Sequence, residues 1–435
     1  MSVARLVPLL LAAAVATLPA AGTAAADPPS LGRQTLPAND GWAAYSGGTT
    51  GGAAATADHV YTVSTRAQLV DAFAAGGNQP KIVYVKGVVN ADTDADNKPL
   101  NCDDYAAGTG YTLAGYLAAY DPATWGRTQK PSGPMESARA AAEKAQAANV
   151  ELKVPANTTI VGVGATAGIL GGDLYVSGVD NVIIRNLTLA NAYDCFPQWD
   201  PTDGDTGNWN SEFDNITVVS GATHVWIDHN TITDKPYFDS AEPTYFDRPY
   251  QQHDGGSDIT KASDLVTVEW NVYDGHDKTM LIGSTDSASY DDADHLRVTV
   301  HHNEFRDIGQ RAPRLRWGHV DVYDNWYVQP ADAGYDYSYS WGAGVYSHIY
   351  AQNNAFSLAS AGPADVVHNW GGTVIHAAGN TVNGSPTDLL AAYDAANPGT
   401  RLADDTSWTP TLRTHLDPAA AVPGLVAHHA GAGRV

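Results

Sequence analysis

The chain is poor in cysteine, in basic residues and in long hydrophobic runs, and each shortage excludes something. Lys and Arg number 24 against 48 Asp and Glu, for a net charge of −24. The acids are spread along the chain rather than gathered in a tail, so nucleic acid is an unfavourable partner. A polyanion then needs locally concentrated cations or a bridging metal. No stretch approaches the ~20 apolar residues of a membrane span. The apolar run Leu9-Leu-Leu-Ala-Ala-Ala-Val-Ala16 is too short for one. With Arg5 before it and Ala24-Ala25-Ala26 just ahead of Asp27, it reads as a secretion signal over residues 1–26. The expectation is a secreted, soluble, extracellular product with no membrane partner. Residues 27–435 contain nothing that reads as an interdomain linker, so one domain is expected.

Cys102 and Cys195 are the only cysteines. An even pair in an exported chain reads as a disulfide, with two buried thiols as the alternative. A bridge closing a loop of roughly 90 residues stabilises by up to ~4–5 kcal/mol in the loop-entropy description.

Helical periodicity is scarce as well. It appears at Thr65–Ala74, where Ser64 or Thr65 suits the N-cap, and at Met135–Ala148, rich in Ala, Glu and Lys. Afterwards a short template recurs: Val225-Trp-Ile-Asp-His-Asn230, Val266-Thr-Val-Glu-Trp-Asn271, Val298-Thr-Val-His-His-Asn303, Val320-Asp-Val-Tyr-Asp-Asn325, Ile349-Tyr-Ala-Gln-Asn-Asn354 and Ile375-His-Ala-Ala-Gly-Asn380. An apolar residue stands two places after each Asn: Ile232, Tyr273, Phe305, Tyr327, Phe356 and Val382. The spacing is too uneven for propeller blades. A fixed template at an uneven period predicts an all-β solenoid, a single-stranded parallel β-helix with long loops on one side and the Asn amides bonded from turn to turn. The two helices are expected to cap its N-terminal end, and an irregular tail, Asp404–Val435, to pack over the last turns.

A polar residue heads the β-run before each template: Asp214, Asp258, Lys278 and Arg311. With ~4.8 Å between stacked strands, four such residues in one phase span on the order of 15 Å along a face. Asp254, before Gly255-Gly256, can fold back toward them. Oxygen donors without cysteine or paired histidines favour Ca²⁺ over zinc. His301-His302 reads as one core and one surface residue, by strand alternation. Asp228 and His229 read as structural neighbours of the Asn ladder, and His253 and His276 as flanking the site. Trp199, Trp209 and Trp317 are either sugar-stacking or core residues.

Asp214, His253-Asp-Gly-Gly-Ser-Asp258, His276-Asp-Lys278 and Gln310-Arg-Ala-Pro-Arg-Leu-Arg316 together resemble the defining blocks of bacterial pectate lyases of polysaccharide lyase family 1. So do Val225-Trp-Ile-Asp-His229 and Phe196-Pro-Gln-Trp-Asp-Pro-Thr-Asp203, and the likeness runs in order from about Trp42 to Val435. The resemblance implies a right-handed parallel β-helix that cleaves polygalacturonate (pectate) by Ca²⁺-dependent β-elimination, giving 4,5-unsaturated oligogalacturonides, as a monomer. It implies metal ligands at Asp214, Asp254 and Asp258, a catalytic base at Arg311, and Lys278 and Arg316 as carboxylate-binding partners. Glu212 is a candidate for further Ca²⁺. The alternatives are a lyase acting on methyl-esterified pectin, a hydrolase, which needs a pair of acidic catalysts, and a non-catalytic polysaccharide-binding β-helix.

The chemistry suits these groups. The C5 proton of a galacturonate sits beside a carboxylate that resists further negative charge, so a metal ion and Lys278 offset it. A guanidinium base needs a lowered pKa, expected here from Ca²⁺, Lys278, Arg314 and Arg316, which implies activity rising into alkaline pH.

Overall fold

In the computed structural model, which describes residues 30–435, the chain winds into a parallel β-helix. The signal segment 1–26 lies outside the described residues. Each central turn lays one strand in each of three sheets. One turn runs Ile216–Val219, Thr223–Asp228 and Thr231–Thr233; the next runs Ser257–Ile259, Asp264–Glu269 and Val272–Lys278; the next Leu281–Ile282, Val298–His301 and Glu304–Gln310. The sheets contain 8, 11 and 10 strands respectively, and pairing from turn to turn is parallel.

Strand alternation explains the core. Val225 and Ile227 point inward and stack on Val266 and Val268, then Val298 and Val300, then Val320 and Val322, all sealed from solvent. Each such side chain contributes roughly 1.5–3 kcal/mol by burial. The residues two places after each Asn form a second internal stack: Tyr273, Phe305, Tyr327 and Phe356, with ring centroids 5.0, 5.0 and 4.4 Å apart. Trp226, which alternates outward, is covered by Leu36 and Ala43 of the N-terminal segment.

The Asn ladder forms as expected. From Asn230 to Asn354, each side-chain Nδ2 donates to the Oδ1 of the Asn one turn on, across sequence steps of 41, 32, 22, 29 and 26 residues. Each backbone N–H donates to that same oxygen. Nδ2 also reaches back, Asn271 to the Ile227 carbonyl and Asn303 to that of Val268. The residue before each ladder Asn turns the corner in the left-handed region: His229, Trp270, His302, Asp324 and Asn353 have φ between 51 and 55°.

That corner corrects the reading of His301-His302. Alternation holds for extended backbone, and His302 has left. Both histidines are buried, because the N-terminal segment brings Asp40 to His301 and the C-terminal tail brings Asp417 to His302. Asp228 and His229 are ladder neighbours as expected: the Asp228 carboxylate pairs with Arg185 and with the His229 ring.

The terminal elements need three corrections. Helix Arg66–Ala74, N-capped by Thr65, caps the β-helix through Leu69, Ala72 and Phe73. Pro134–Val150 does not. It packs in a separate cluster with Tyr116, Phe196, Trp199 and Trp209, beside the Cys102–Cys195 disulfide, whose Cα atoms are 5.3 Å apart. Trp199 and Trp209 are thus core residues. The tail after Asp404 is not wholly irregular, since it forms a helix, Val422–His429, whose Val422 and Val426 pack against Ala355. Nor does it stop at the last turns. Gly431 N–H donates to the Trp270 carbonyl, Ala432 to Thr231 Oγ1 and Gly433 to Asn186 Oδ1, so the tail runs back along acceptors offered by earlier turns. A further helix, Leu389–Ala396, joins the main core through Leu389 and Tyr393.

Candidate active site and metal-binding face

Register decides which of the candidate residues meet. Asp214 precedes Ile216, which pairs with Ser257, and Gly255 bridges to Lys278, which pairs with Gln310. Asp214, Gly255 and Lys278 therefore share one level. Asp258 pairs with Thr217 and lies three residues further along, and Arg311 follows Gln310 at a left-handed bend, φ 62°. The expectation of a single phase is corrected: Lys278 ends a strand of the 10-stranded sheet, whereas Asp258 belongs to the 8-stranded one. The groups converge at the corner where one sheet passes into the other.

Gly255 makes this convergence possible. A Cβ there would stand 2.3 Å from Asp258 Oδ1 and 2.7 Å from Asp214 Oδ1, so the two carboxylates close over a backbone that no side chain permits. Gly255 N–H donates to Asp214 Oδ1 at 2.7 Å, Thr217 Oγ1 to Asp214 Oδ2 at 3.0 Å, and Leu281 N–H to Asp258 Oδ1 at 2.9 Å. Asp254 is half-buried and takes Lys278 Nζ at 3.2 Å, while Lys278 is buried.

Burial first, then the charges of Asp258, Asp254 and Asp173, push the Asp214 carboxyl well above the usual range. Burial and then Asp254 push Asp258 up to about 7, although Leu281 N–H and Arg311 oppose this. Asp173, one turn earlier, accepts from Thr217 N–H at 3.1 Å and is pushed up to about 8, mainly by burial. Crowded acids with displaced ionisation equilibria are the environment a hard cation relieves, and all-oxygen donors fit one. Asp214, Asp254 and Asp258 form a more open set than two other groups, Asp40-Glu269-His301 and His302-Asp324-Asp417, whose candidate ligand atoms all lie within 4.8 Å of one another.

The guanidiniums behave differently from the sequence expectation. Burial favours loss of the Arg311 proton, but Asp254, with Tyr339, Asp258 and Asp277, outweighs burial and raises its pKa. Among the protein's own groups the carboxylates outweigh the neighbouring cations at Arg311. Its Nε is buried without a hydrogen-bond partner among the described residues. Arg314 is the guanidinium that is lowered, to about 10, by burial and then by Arg316. It lies 4.3 Å over the Trp370 ring. Arg316 donates from Nε to Asp286 at 2.6 Å and from Nη1 to the Gly283 carbonyl at 3.0 Å, so its present partners are in the Gly283–Asp286 segment rather than the acidic trio.

His276 Nδ1 lies 2.6 Å from Asp234 Oδ1, and its buried Nε2 has no partner among the described residues; a Cβ on Gly256 would touch its ring at 3.3 Å. His253 sits between Asp239 and Asn191, at 2.8 and 2.9 Å, and Asp234 and Asp239 raise its pKa to about 9 against the effect of burial. His253 thus props the Asp254 loop. Glu212 is exposed, yet crowding by protein and by Glu143 and Asp254 pushes it up to about 7. Trp317 is half-buried and tilted against exposed Tyr346, with centroids 4.6 Å apart. Sequence reasoning passed over Asp173, Asp277 and Tyr339. Asp277, between His276 and Lys278 in a motif already singled out, was the findable one.

A parallel β-helix with acids, an ammonium and guanidiniums gathered at one corner is the architecture of an enzyme acting on an anionic chain. Comparison with known proteins is specific. The family model described as pectate lyase matches residues 10–109 and 131–434. The chain is 46% identical to the pectate lyase of Bacillus subtilis over 95% of this chain and 96% of that one. It is 34% identical to pectate lyase A of Dickeya chrysanthemi, covering 89% and 90%. Among solved structures, the thermostable pectate lyase PL 47 superposes with a TM-score of 0.90 at 42% identity, over 94% of this chain and all of that one. A pectate lyase bound to hexasaccharide gives 0.88 at 45%, with the same coverage. The chain belongs to the pectate lyase family, and it is an enzyme of that kind.

Proposed function

We propose that the protein cleaves α-1,4-polygalacturonate by Ca²⁺-dependent β-elimination, leaving 4,5-unsaturated oligogalacturonides. The observation that carries this reading is the closure of Asp214 and Asp258 over Gly255, with the Lys278–Asp254 pair and Arg311 around it. Asp214, Asp254 and Asp258 hold the ion. Bound there, Ca²⁺ supplies a Lewis acid that offsets the charge of the substrate carboxylate. Lys278 gives up Asp254 and places its ammonium beside the same carboxylate, stabilising the charge that develops as C5 loses its proton. Arg316 exchanges exposed Asp286 for a substrate carboxylate. Arg311 takes the C5 proton as general base. Its charge is held on by Asp254 and Asp258, so engaging those acids elsewhere releases the hold, and the rate rises toward alkaline pH. No side-chain acid is assigned to the leaving C4 oxygen, and water returns that proton. Glu212 serves additional Ca²⁺ carried in with the polymer.

The protein acts outside the cell as a single-domain monomer, mature residues 27–435. Among the described residues no helix is long and apolar enough to cross a membrane. The test is the ultraviolet absorbance of the unsaturated uronide, followed on polygalacturonate at alkaline pH with Ca²⁺ and then with a chelator. A rise that the chelator abolishes is expected. New reducing ends without a rise mean hydrolysis, and a preference for fully methyl-esterified pectin without Ca²⁺ means the other lyase.

A further inference from the structure

A second cluster of ligating atoms lies away from the lyase corner, on the outward face of the 11-stranded sheet. There Arg185, Asp228, Glu269, His301 and Tyr323 occupy one register position on successive turns. Arg185 neutralises Asp228 at 2.5 Å. Among the described residues Glu269 pairs with no Arg or Lys. Its Oε1 accepts from Trp226 Nε1 at 2.6 Å, and its Oε2 faces His301 Nε2 at 2.8 Å. The N-terminal segment adds Asp40, whose Oδ1 is 3.4 Å from the same nitrogen. All three residues are buried, His301 at 2% exposure. Despite these distances His301 Nε2 has no hydrogen-bond partner among the described residues, because the oxygens lie off the line of a ring N–H.

His301 Nδ1 and His302 Nδ1 are 2.8 Å apart, room for one proton between them. His302 Nε2 is hydrogen-bonded to Asp417 Oδ2 at 3.1 Å, and only the ring can donate to a carboxylate. A neutral His302 that donates there has a bare Nδ1 and accepts from His301 Nδ1–H. His301 then presents the lone pair of Nε2 to two carboxyl groups, an arrangement that calls for either a proton on one of them or a cation among the three atoms.

We propose that Asp40, Glu269 and His301 form a structural divalent-cation site of the zinc class, separate from the lyase site. One imidazole and two carboxylates suit such an ion better than Ca²⁺. Donor atoms on a tetrahedral zinc stand roughly 3.3 Å apart, given its bond lengths, against 2.8 and 3.4 Å from His301 Nε2 to the two carboxylates. His302 holds the His301 ring through its other nitrogen, as partners of metal-bound histidines do. A cleft of about 440 Å³ bordered by Gln34, Asp40, Trp226, Asp228 and Glu269 admits the ion and a water ligand. The ion fastens the N-terminal segment to two turns of the sheet, and the His302–Asp417 bond extends the link to the C-terminal tail.

The test uses the whole mature protein with saturating Ca²⁺, so that the lyase corner is occupied. After dialysis free of other metals, Zn²⁺ alone is added, and bound zinc and melting temperature are measured. About one retained equivalent and a melting point raised by a few degrees are expected. Co²⁺ in its place should give the visible absorption of a four-coordinate N,O site. Glu269→Gln and His301→Gln should lose the retained zinc, and Asp254→Asn should keep it. If either of the first two fails to fold, the cobalt spectrum of the unaltered protein decides. The proposal is overturned by wild-type protein that retains no zinc and melts unchanged, by equal retention in a folded His301→Gln, or by a stability that responds to pH and not to zinc, which would put a proton in the ion's place.

Discussion

Two corners of the same β-helix are built on opposite principles. At the Asn corner each turn repeats one residue, and each amide from Asn230 to Asn354 has partners on the turns before and after it. At the lyase corner the residue changes along the turns from Asp to Lys to Arg, and among the described residues Arg311 Nε, Arg314 Nε and His276 Nε2 are buried without partners beside mutually repelling carboxylates. A satisfied network is rigid and chemically idle, whereas an unsatisfied one keeps charge and lone pairs available to a ligand. The first kind holds the turns in register so that the second can stay strained without unfolding.

Four measurements sharpen or break this contrast. The largest effect is expected for Arg311→Ala, which should lower kcat on polygalacturonate roughly 10³-fold with an unchanged far-ultraviolet spectrum; a loss under tenfold would remove Arg311 from the proton transfer. Asp258→Asn should weaken the Ca²⁺ requirement curve by on the order of 10²-fold or more while leaving the melting temperature level or raised, since repulsion with Asp254 and Asp214 is relieved. A clear drop in melting temperature would mean that the carboxylates stabilise the fold. Asn303→Ala should do the reverse. It strands the Asn271 N–H and the Val268 and His301 carbonyls, costing ~2–4 kcal/mol in denaturant unfolding with kcat retained. Loss of kcat at full stability would make the ladder part of the active site.

The smallest effect is a pH dependence. Asp194 is sealed from solvent, with Oδ1 accepting from Phe196 N–H and Oδ2 unpartnered. Burial and then Glu143 push it up to about 8. A carboxyl raised on folding favours the folded state below its ordinary pKa, and that contribution is lost as pH rises through about 8. Asp194→Asn should therefore leave the melting temperature unchanged near pH 4 and raise it at alkaline pH. An equal shift at both pH values would show that Asp194 ionises freely.

Much of this was legible in residues alone. The template ending in Asn located the turns, and the apolar residue two places later located the internal stack, because both depend on strand alternation and a tight bend. The metal and lyase candidates were legible as blocks, yet their grouping was not. Asp258 and Lys278 lie on different sheets, and only the approach over Gly255 unites them. His302 was misplaced because a left-handed residue breaks the alternation rule, and Pro134–Val150 because a good helix pattern does not say what the helix covers.

The sequence by itself determined the repeat, the ladder, the Cys102–Cys195 pair and the set of charged residues available for chemistry, since periodicity and residue type are local properties. Tertiary structure alone decided which carboxylates face one another, how firmly Arg311 holds its proton, and where the segments at Asp40 and Asp417 pack. Those depend on electrostatic distance and burial between residues on different turns. A chain that returns along its own outer face, as the segment at Asp40 and the tail at Asp417 do, makes neighbours of residues hundreds of positions apart.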